Sequence, residues 1–356
     1  MRLLICAGGT GGGVYPALTV SETLRNDAHE LLWVGSEGGM EKALVERAGL
    51  PFKAVPAAGV HGVSLKKLPG NLLRLARGYH SSRRLLKQFN PDVLFFTGGY
   101  VAIPMAVAGL RRRSVLFVPD IEPGLALKVL ARFASRIAVS VEDSRRYFKH
   151  QEKITVTGYP LREDLKKWTK AEAQAYFGFD PQRKTILFLG GSSGARSINQ
   201  AVMEIAAELT REYQVIHLTG HLDWDEIQKH THQLGPRYQA FPYLHEVGAA
   251  MACADLVVSR AGASTLGEYP YFGLPAVLVP YPYAWKYQKV NADYLVERGA
   301  AVLMEDRYLK ANLLATIKDL MTDAQRLAEM SAAMRALSNP DAALAISELL
   351  LEMAGA

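Results

Sequence analysis

The sequence predicts an α/β chain of two Rossmann-like domains, each a parallel sheet with helices on both faces. Three observations carry this. The chain has 356 residues, and domains usually run to about 100–200. Three short apolar strands run straight into glycine pairs. Leu3 to Ala7 leads to Gly8-Gly9-Thr10-Gly11-Gly12-Gly13, Val93 to Phe96 to Thr97-Gly98-Gly99-Tyr100, and Thr185 to Leu189 to Gly190-Gly191-Ser192-Ser193-Gly194-Ala195. Each is followed by a segment with helical spacing, and strands alternating with amphipathic helices imply parallel sheets.

The first and third of these units open separate domains. Between them, Thr157 to Arg162 and the charged stretch to Lys170 read as a linker. That places the domains at 1–160 and 161–340. At the end, Ala324 to Ser338 is helical, Asn339-Pro340 breaks the helix, and Asp341 can cap a last one reaching Met353. This final segment, 341–356, is placed to return to the first domain.

Composition narrows the class. Hydrophobic residues make up 49% and charged residues 21%, a globular balance with enough apolar side chains for two cores. No apolar run approaches the ~18 residues that span a bilayer. The N-terminus starts directly on a strand-like run, so no signal peptide is expected. Cys6 and Cys253 both lie in apolar runs and read as buried thiols, which suits a reducing cytoplasm. The net charge of +6 is concentrated. Between Arg47 and Pro91, Lys53, Lys66, Lys67, Arg74, Arg77, Arg83, Arg84 and Lys87 occur with no acidic residue, and leucines interleave from Leu65 to Leu86. Such a stretch, 65–87, suits an anionic membrane or an anionic substrate; the plainer reading is a solvated basic helix face. No helix-turn-helix, zinc-finger or RRM pattern accompanies it, so nucleic acid is not an expected partner.

Glycine turns between a strand and a helix let backbone N–H groups approach a phosphate, and the helix dipole favours the negative charge. The first turn is not a dinucleotide fingerprint: its best register, Gly9-x-Gly11-x-x-Val14, fails at the third glycine. No G-x-x-x-x-G-K-[ST] occurs, which argues against a P-loop kinase. The second half carries more. After the strand Leu256 to Ser259 come Arg260-Ala261-Gly262-Ala263-Ser264-Thr265-Leu266-Gly267-Glu268, then Gly273-Leu274-Pro275, then Gln288 and Asn291-Ala292. Glu268 falls in the helix after the small-residue turn, where a carboxylate can take both hydroxyls of a ribose. Histidines His217, His221, His230 and His232 are scattered without ligand spacing, and no D-x-D motif is present. No metal or other cofactor is expected.

That block and the two earlier glycine turns, in one order along the whole chain, resemble the MurG family. The resemblance implies the GT-B architecture and an inverting transfer of N-acetylglucosamine from UDP-N-acetylglucosamine to a lipid-linked muramyl-pentapeptide in peptidoglycan synthesis. It implies a cytoplasmic protein, peripheral on the inner face of the plasma membrane. For the donor site, Gly190 to Ala195 matches the family's G-G-S-x-G-A turn, with Ser192 at the diphosphate. Arg162 matches an interdomain arginine, and Tyr159 stands where the family has asparagine. Leu244 sits where a backbone group reads the uracil edge. Arg260 and Glu268 match the family's arginine and ribose-binding glutamate, Thr265 falls beside the phosphates, and Gln288 matches a sugar-contacting glutamine. Thr10, Gly11, Gly12 and Gly13, with Gly98 and Gly99, form the glycine turns of the acceptor domain.

The acceptor side departs from the family pattern. Gly13 replaces the histidine of G-G-T-G-G-H. Phe117, Val118, Pro119 and Asp120 replace H-E-Q-N before Pro123-Gly124-Leu125-Ala126. Trp285-Lys286-Tyr287 lacks the acidic residue before Gln288. Glycine cannot move a proton, so Asp120 becomes the candidate base, with Glu122 and His61 in reserve; the plain alternative is that Asp120 caps a turn. Three readings follow: the MurG reaction itself, a MurG-like transferase with another glycolipid or small-molecule acceptor, and a non-catalytic UDP-sugar binder.

Overall fold

The computed structural model describes residues 1–8, 11–25, 29–39, 41–59, 68–191 and 193–355. The chain divides into two units, Met1–Arg162 with Pro340–Ala356, and Glu163–Asn339. Every described strand pair is parallel.

The sheet of the first unit uses β1 (Arg2–Cys6), β2 (Glu30–Ser36), β3 (Phe52–Val55), β4 (Val93–Phe96), β5 (Ser114–Val118), β6 (Arg136–Val139) and β7 (Ile154–Val156), in the order β3-β2-β1-β4-β5-β6-β7. β4 and β5 are buried at every residue, as strands covered by helices on both faces must be. The order reverses between β1 and β4. Such a reversal opens a crevice at the C-terminal strand ends, where open α/β sheets bind ligands. The last helix, Ala342–Ala354, belongs to this unit. It packs on the helix Gly11–Thr23 and against β4 and β5, and Arg113 Nη1 donates to the Met353 carbonyl (3.1 Å).

The second unit has β8 (Thr185–Leu189), β9 (Gln214–Leu218), β10 (Tyr238–Phe241), β11 (Leu256–Ser259), β12 (Ala276–Leu278) and β13 (Ala301–Leu303), in the order β10-β9-β8-β11-β12-β13. Its reversal lies between β8 and β11, and helix Arg196–Glu212 follows β8 directly. Ile198, Val202 and Leu209 of that helix pack with Ile186, Phe188, Val215 and Val258 of the sheet, together with Leu313 and Ile317 of helix Leu309–Thr322. This apolar face is what anchors the glycine turn at the helix's start.

The boundary between the units falls at Arg162 and Glu163, within the stretch read as a linker. Thr157, Tyr159 and Leu161 in that stretch are buried, and a short helix, Glu163–Lys166, begins at once. Two other expectations need correction. Asp341 precedes the last helix but makes no side-chain cap; its φ and ψ of −93° and 11° do not have the extended geometry that aims a carboxylate at the first-turn amides. Its backbone carbonyl accepts from Ala345 N–H instead (2.9 Å). The preceding helix also ends earlier than expected, at Arg335.

Candidate functional site

In the second unit, a cavity of about 910 Å³ opens at the C-terminal ends of β8 and β11, where the strand order reverses. The turn after β8 contributes Gly190, Gly191, Ser193, Gly194 and Ala195. Its glycines are obligatory. Gly191 and Gly194 have φ of +84° and +82°, which side chains disfavour. A Cβ on Gly194 would lie 2.1 Å from the Thr219 carbonyl oxygen, and Gly220, with φ of +74°, presses on Gly194 from the turn after β9. Two glycine turns therefore close against each other and set the N-terminus of helix Arg196–Glu212 at the cavity wall. The first-turn N–H groups of a helix, which have no partner within it, and the positive end of the helix dipole make that end attractive to an anion.

The segment after β11 supplies the opposite wall, with Arg260, Gly262, Ser264, Thr265 and Tyr269. Thr265 locks this turn: both its Oγ1–H and its N–H donate to the Gly262 carbonyl, at 2.7 and 3.0 Å. Tyr269 is buried and donates its hydroxyl to Ser259 Oγ (2.7 Å); burial first, then the nearby Glu268 charge, push its ionisation upward. The Arg260 guanidinium is mostly buried. It pairs with Asp306, donates to Ser197 Oγ (2.8 Å) and to the Val279 carbonyl (3.2 Å), and lies 5.3 Å over the Tyr281 ring. Gln288 is held by the Tyr281 N–H, which donates to its Oε1 (2.8 Å). Its carboxamide NH₂ is therefore the end left to meet a ligand.

Of the donor-site residues expected from the sequence, Arg260, Thr265, Gln288 and the Gly190–Ala195 turn thus come together. Glu268 begins the helix Glu268–Phe272, next to Tyr269, and is not itself a lining residue. Leu244 lies in the loop beyond edge strand β10, two strands from β8. Arg162 ends the long N-terminal segment of the first unit, its guanidinium 4.9 Å over the Tyr15 ring. Ser192, Thr10 and His61 lie outside the described residues, as do Lys66 and Lys67 of the basic stretch.

Sequence reasoning missed Arg196, Asp223, Tyr281, Tyr283 and Asp306, all of which line the cavity. Arg196 was findable, as the residue directly after a glycine turn. Asp306 gave no local signal; it reaches Arg260 only through folding.

In the first unit, the glycine turns also meet. Gly11, Gly12 and Gly13 form the first turn of helix Gly11–Thr23. Thr97 donates its hydroxyl to the Gly13 carbonyl (2.6 Å), and a Cβ on Gly13 would lie 3.2 Å from the Thr97 carbonyl oxygen. Gly98 and Gly99 have φ of +129° and +86°, and a Cβ on Gly99 would lie 2.6 Å from the Gly8 carbonyl oxygen. Asp120 follows β5, the neighbour of β4, so it shares this C-terminal edge. Glu122 is buried and ion-paired to Lys128 (2.9 Å).

Both cysteines are buried free thiols. Burial pushes Cys253 up to about 11 and raises Cys6 further, with the Glu41 charge adding to it.

Comparison with known proteins agrees with this geometry. The glycosyltransferase family 28 N-terminal domain matches residues 3–139, and the family 28 C-terminal domain matches residues 185–346. The chain is 38% identical to the UDP-N-acetylglucosamine–N-acetylmuramyl-(pentapeptide) pyrophosphoryl-undecaprenol N-acetylglucosamine transferase of Desulforudis audaxviator, covering 100% of this chain and 99% of that one. It is 36% identical to the protein of the same name from Desulforamulus reducens, over 96% of each chain. Among solved structures, MurG of Acinetobacter baumannii superposes with a TM-score of 0.78 at 23% identity over 99% of both chains, a likeness of fold. With two parallel α/β sheets, glycine turns at both strand-order reversals and relatives matching end to end, this chain belongs to the MurG family of glycosyltransferases.

Proposed function

We propose that the chain transfers N-acetylglucosamine from UDP-N-acetylglucosamine to the lipid-linked N-acetylmuramyl-pentapeptide. The observation that carries this is the end-to-end match at 38% identity to a transferase of that name. The cavity at the β8–β11 reversal supports it, because its glycine turn and helix N-terminus suit a diphosphate.

In the reaction, the acceptor hydroxyl attacks the anomeric carbon as the bond to UDP breaks, and the configuration inverts. The hydroxyl proton must leave, and Asp120 is the candidate that accepts it. General-base assistance of this kind contributes about 10²–10⁴-fold. The charge growing on the departing diphosphate is met by the backbone N–H groups of the Gly190–Ala195 turn and the helix behind it. The family resemblance adds Arg162 and Ser192 as further diphosphate contacts, Glu268 for the ribose, a Leu244 backbone group for the uracil and Gln288 for the sugar. This chemistry needs no metal; full activity in a chelator is the corresponding expectation.

The chain's own surface supports a place at an anionic membrane. On helix Leu68–Phe89, Arg74, Arg77, Arg83, Arg84 and Lys87 are exposed beside exposed Leu72 and Leu73. No described helix is long and apolar enough to cross a membrane. We read the protein as peripheral, on the cytoplasmic leaflet.

A second reading, transfer to a different glycolipid, is favoured by Gly13 alone. The family's histidine is absent there, and the packing of Thr97 leaves little room for a side chain. One experiment separates the two: UDP release with UDP-N-acetylglucosamine and the lipid-linked muramyl-pentapeptide as sole acceptor. Release only when that acceptor is present supports the first reading; no release, with UDP still bound, supports the second.

A further inference from the structure

A chain of hydrogen bonds runs from the core of the second unit to the cavity wall. His217, on β9, is fully buried. Its Nδ1 lies 2.7 Å from the Tyr238 hydroxyl and its Nε2 2.9 Å from Asn199 Oδ1. Asn199 uses its amide hydrogens elsewhere, on the Thr219 carbonyl and on Asp223 Oδ2, both at 2.9 Å. Its Oδ1 can therefore only accept, which fixes the proton of His217 on Nε2 and makes Nδ1 the acceptor of the Tyr238 hydroxyl. Asp223 then takes Arg196 Nε–H on its other oxygen (2.9 Å).

Two features set this apart from ordinary core polarity. Asp223 occupies the N-cap position of helix Trp224–Thr231 yet makes no cap with its side chain. An aspartate at that position ordinarily contributes about 1 kcal/mol by capping, and here the carboxylate is turned to Asn199 and Arg196 instead. Arg196, for its part, is tied only through Nε. Among the described residues its two terminal nitrogens make no hydrogen bond or ion pair; the side chain is 70% exposed, and Arg196 lines the cavity together with Gly191, Ser193 and Gly194. A guanidinium steered through Nε presents its terminal N–H groups as a fixed fork, the geometry that suits phosphate oxygens. The same relay holds the Thr219 carbonyl, against which Gly194 is packed.

We propose that Arg196 is a diphosphate-binding residue of the donor site and that His217, Asn199 and Asp223 are its positioning residues. This rests on the reading that the cavity takes the donor nucleotide, and it adds a cation to the wall formed by the glycine turn. Asp223 cancels much of Arg196's long-range charge, so its contribution is directional and short-range. It acts on the phosphates and not on the uridine.

The test compares UDP with uridine by calorimetry on the full chain. Arg196→Ala is expected to weaken UDP about tenfold, the size of one charge-assisted hydrogen bond, and to leave uridine unchanged. His217→Phe is expected to give the same split, and to add nothing to it in the Arg196→Ala background. The donor KM should rise in each variant and kcat should fall with it, because charge grows on the departing diphosphate in the transition state. If His217→Phe does not fold, Asp223→Asn, near the surface, is judged by the same criteria. An unchanged UDP-to-uridine ratio in Arg196→Ala overturns the proposal. Equal losses of UDP and uridine in both His217→Phe and Asp223→Asn overturn the positioning role, since they describe a distorted fold. Glu268→Ala separates this from failure of the donor-site reading, because it should weaken UDP and uridine alike; if it affects neither, the underlying reading fails first.

Discussion

His217 makes the stability of the second unit depend on pH in a calculable way. Burial holds its pKa down from 6.5 to about 3, against a small opposing effect of Asp223. In the folded chain the ring is thus neutral throughout the mild acid range, while in the unfolded chain it titrates at its ordinary value. The stability it supports is complete above pH ~6.5 and is lost as pH falls from there toward the folded value, because the unfolded state gains a proton that the folded state refuses. At pH 7 about a quarter of unfolded chains carry that proton, and at pH 5 nearly all do. At about 1.4 kcal/mol per unit, the drop from pH 7 to pH 5 costs about 2 kcal/mol. The perturbation is His217→Phe, which keeps an aromatic ring but cannot titrate. The variant will be less stable at neutral pH, since it strands Asn199 Oδ1, but its loss between pH 7 and pH 5 should be about 2 kcal/mol smaller than that of the wild type. Urea unfolding followed by tryptophan fluorescence measures this, with Trp168 and Trp224 reporting on the second unit. Histidines elsewhere cancel in the comparison. Parallel pH profiles for the two proteins would refute the argument.

Three further outcomes are expected. Glu268→Ala should weaken UDP by ~1–3 kcal/mol, the cost of leaving ribose hydroxyls without their acceptor; unchanged affinity by calorimetry removes Glu268 from the site. Reversing Arg74, Arg77 and Arg84 to glutamate should release the protein from anionic vesicles, at about 1 kcal/mol per basic residue near the surface. Co-sedimentation equal on neutral and anionic vesicles would leave these residues as a solvated helix face. Asp120→Asn keeps shape and hydrogen bonding but removes the base, so transfer should fall about 10²–10⁴-fold while UDP binds normally; near wild-type transfer would show that Asp120 only caps its turn.

The architecture was legible because it is local. Strands such as Val93–Phe96 and Thr185–Leu189 are continuous apolar runs, and each ends on glycines whose positive φ the turn requires. Period and punctuation sit within a few residues of each other, so both sheets could be read without long-range information. Capping was less secure. Asp341 was expected to cap and does not. Asp223 stands at an N-cap and serves another partner. An aspartate's preference for the N-cap is worth only about 1 kcal/mol, and a charge-assisted bond elsewhere is worth as much or more. The boundary was legible for a local reason too: glycine and proline mark the break at which the two units divide, while burial there is decided by the apolar neighbours they separate.

The donor cavity shows where sequence reading reaches its limit. Residues in the glycine turns could be found because the chemistry needs them next to each other. The partners that orient the arginines could not, because they come from other parts of the chain: Asp306 reaches Arg260 from 46 residues away, and Asp223 reaches Arg196 from 27. The pairing has a physical consequence. With each lining arginine matched to an aspartate, the cavity walls carry little net charge before a ligand arrives. General attraction for anions is correspondingly weak, and binding depends on groups aimed at fixed points. Those are the N–H groups of a turn that only glycine can form, the NH₂ of Gln288, and the terminal nitrogens of Arg196, which is held through Nε by Asp223. Removing Asp306 or Asp223 would therefore raise the positive potential of the cavity while loosening the direction of its donors. A site that worked by charge alone would gain affinity for UDP from that change, whereas one that works by aim loses it.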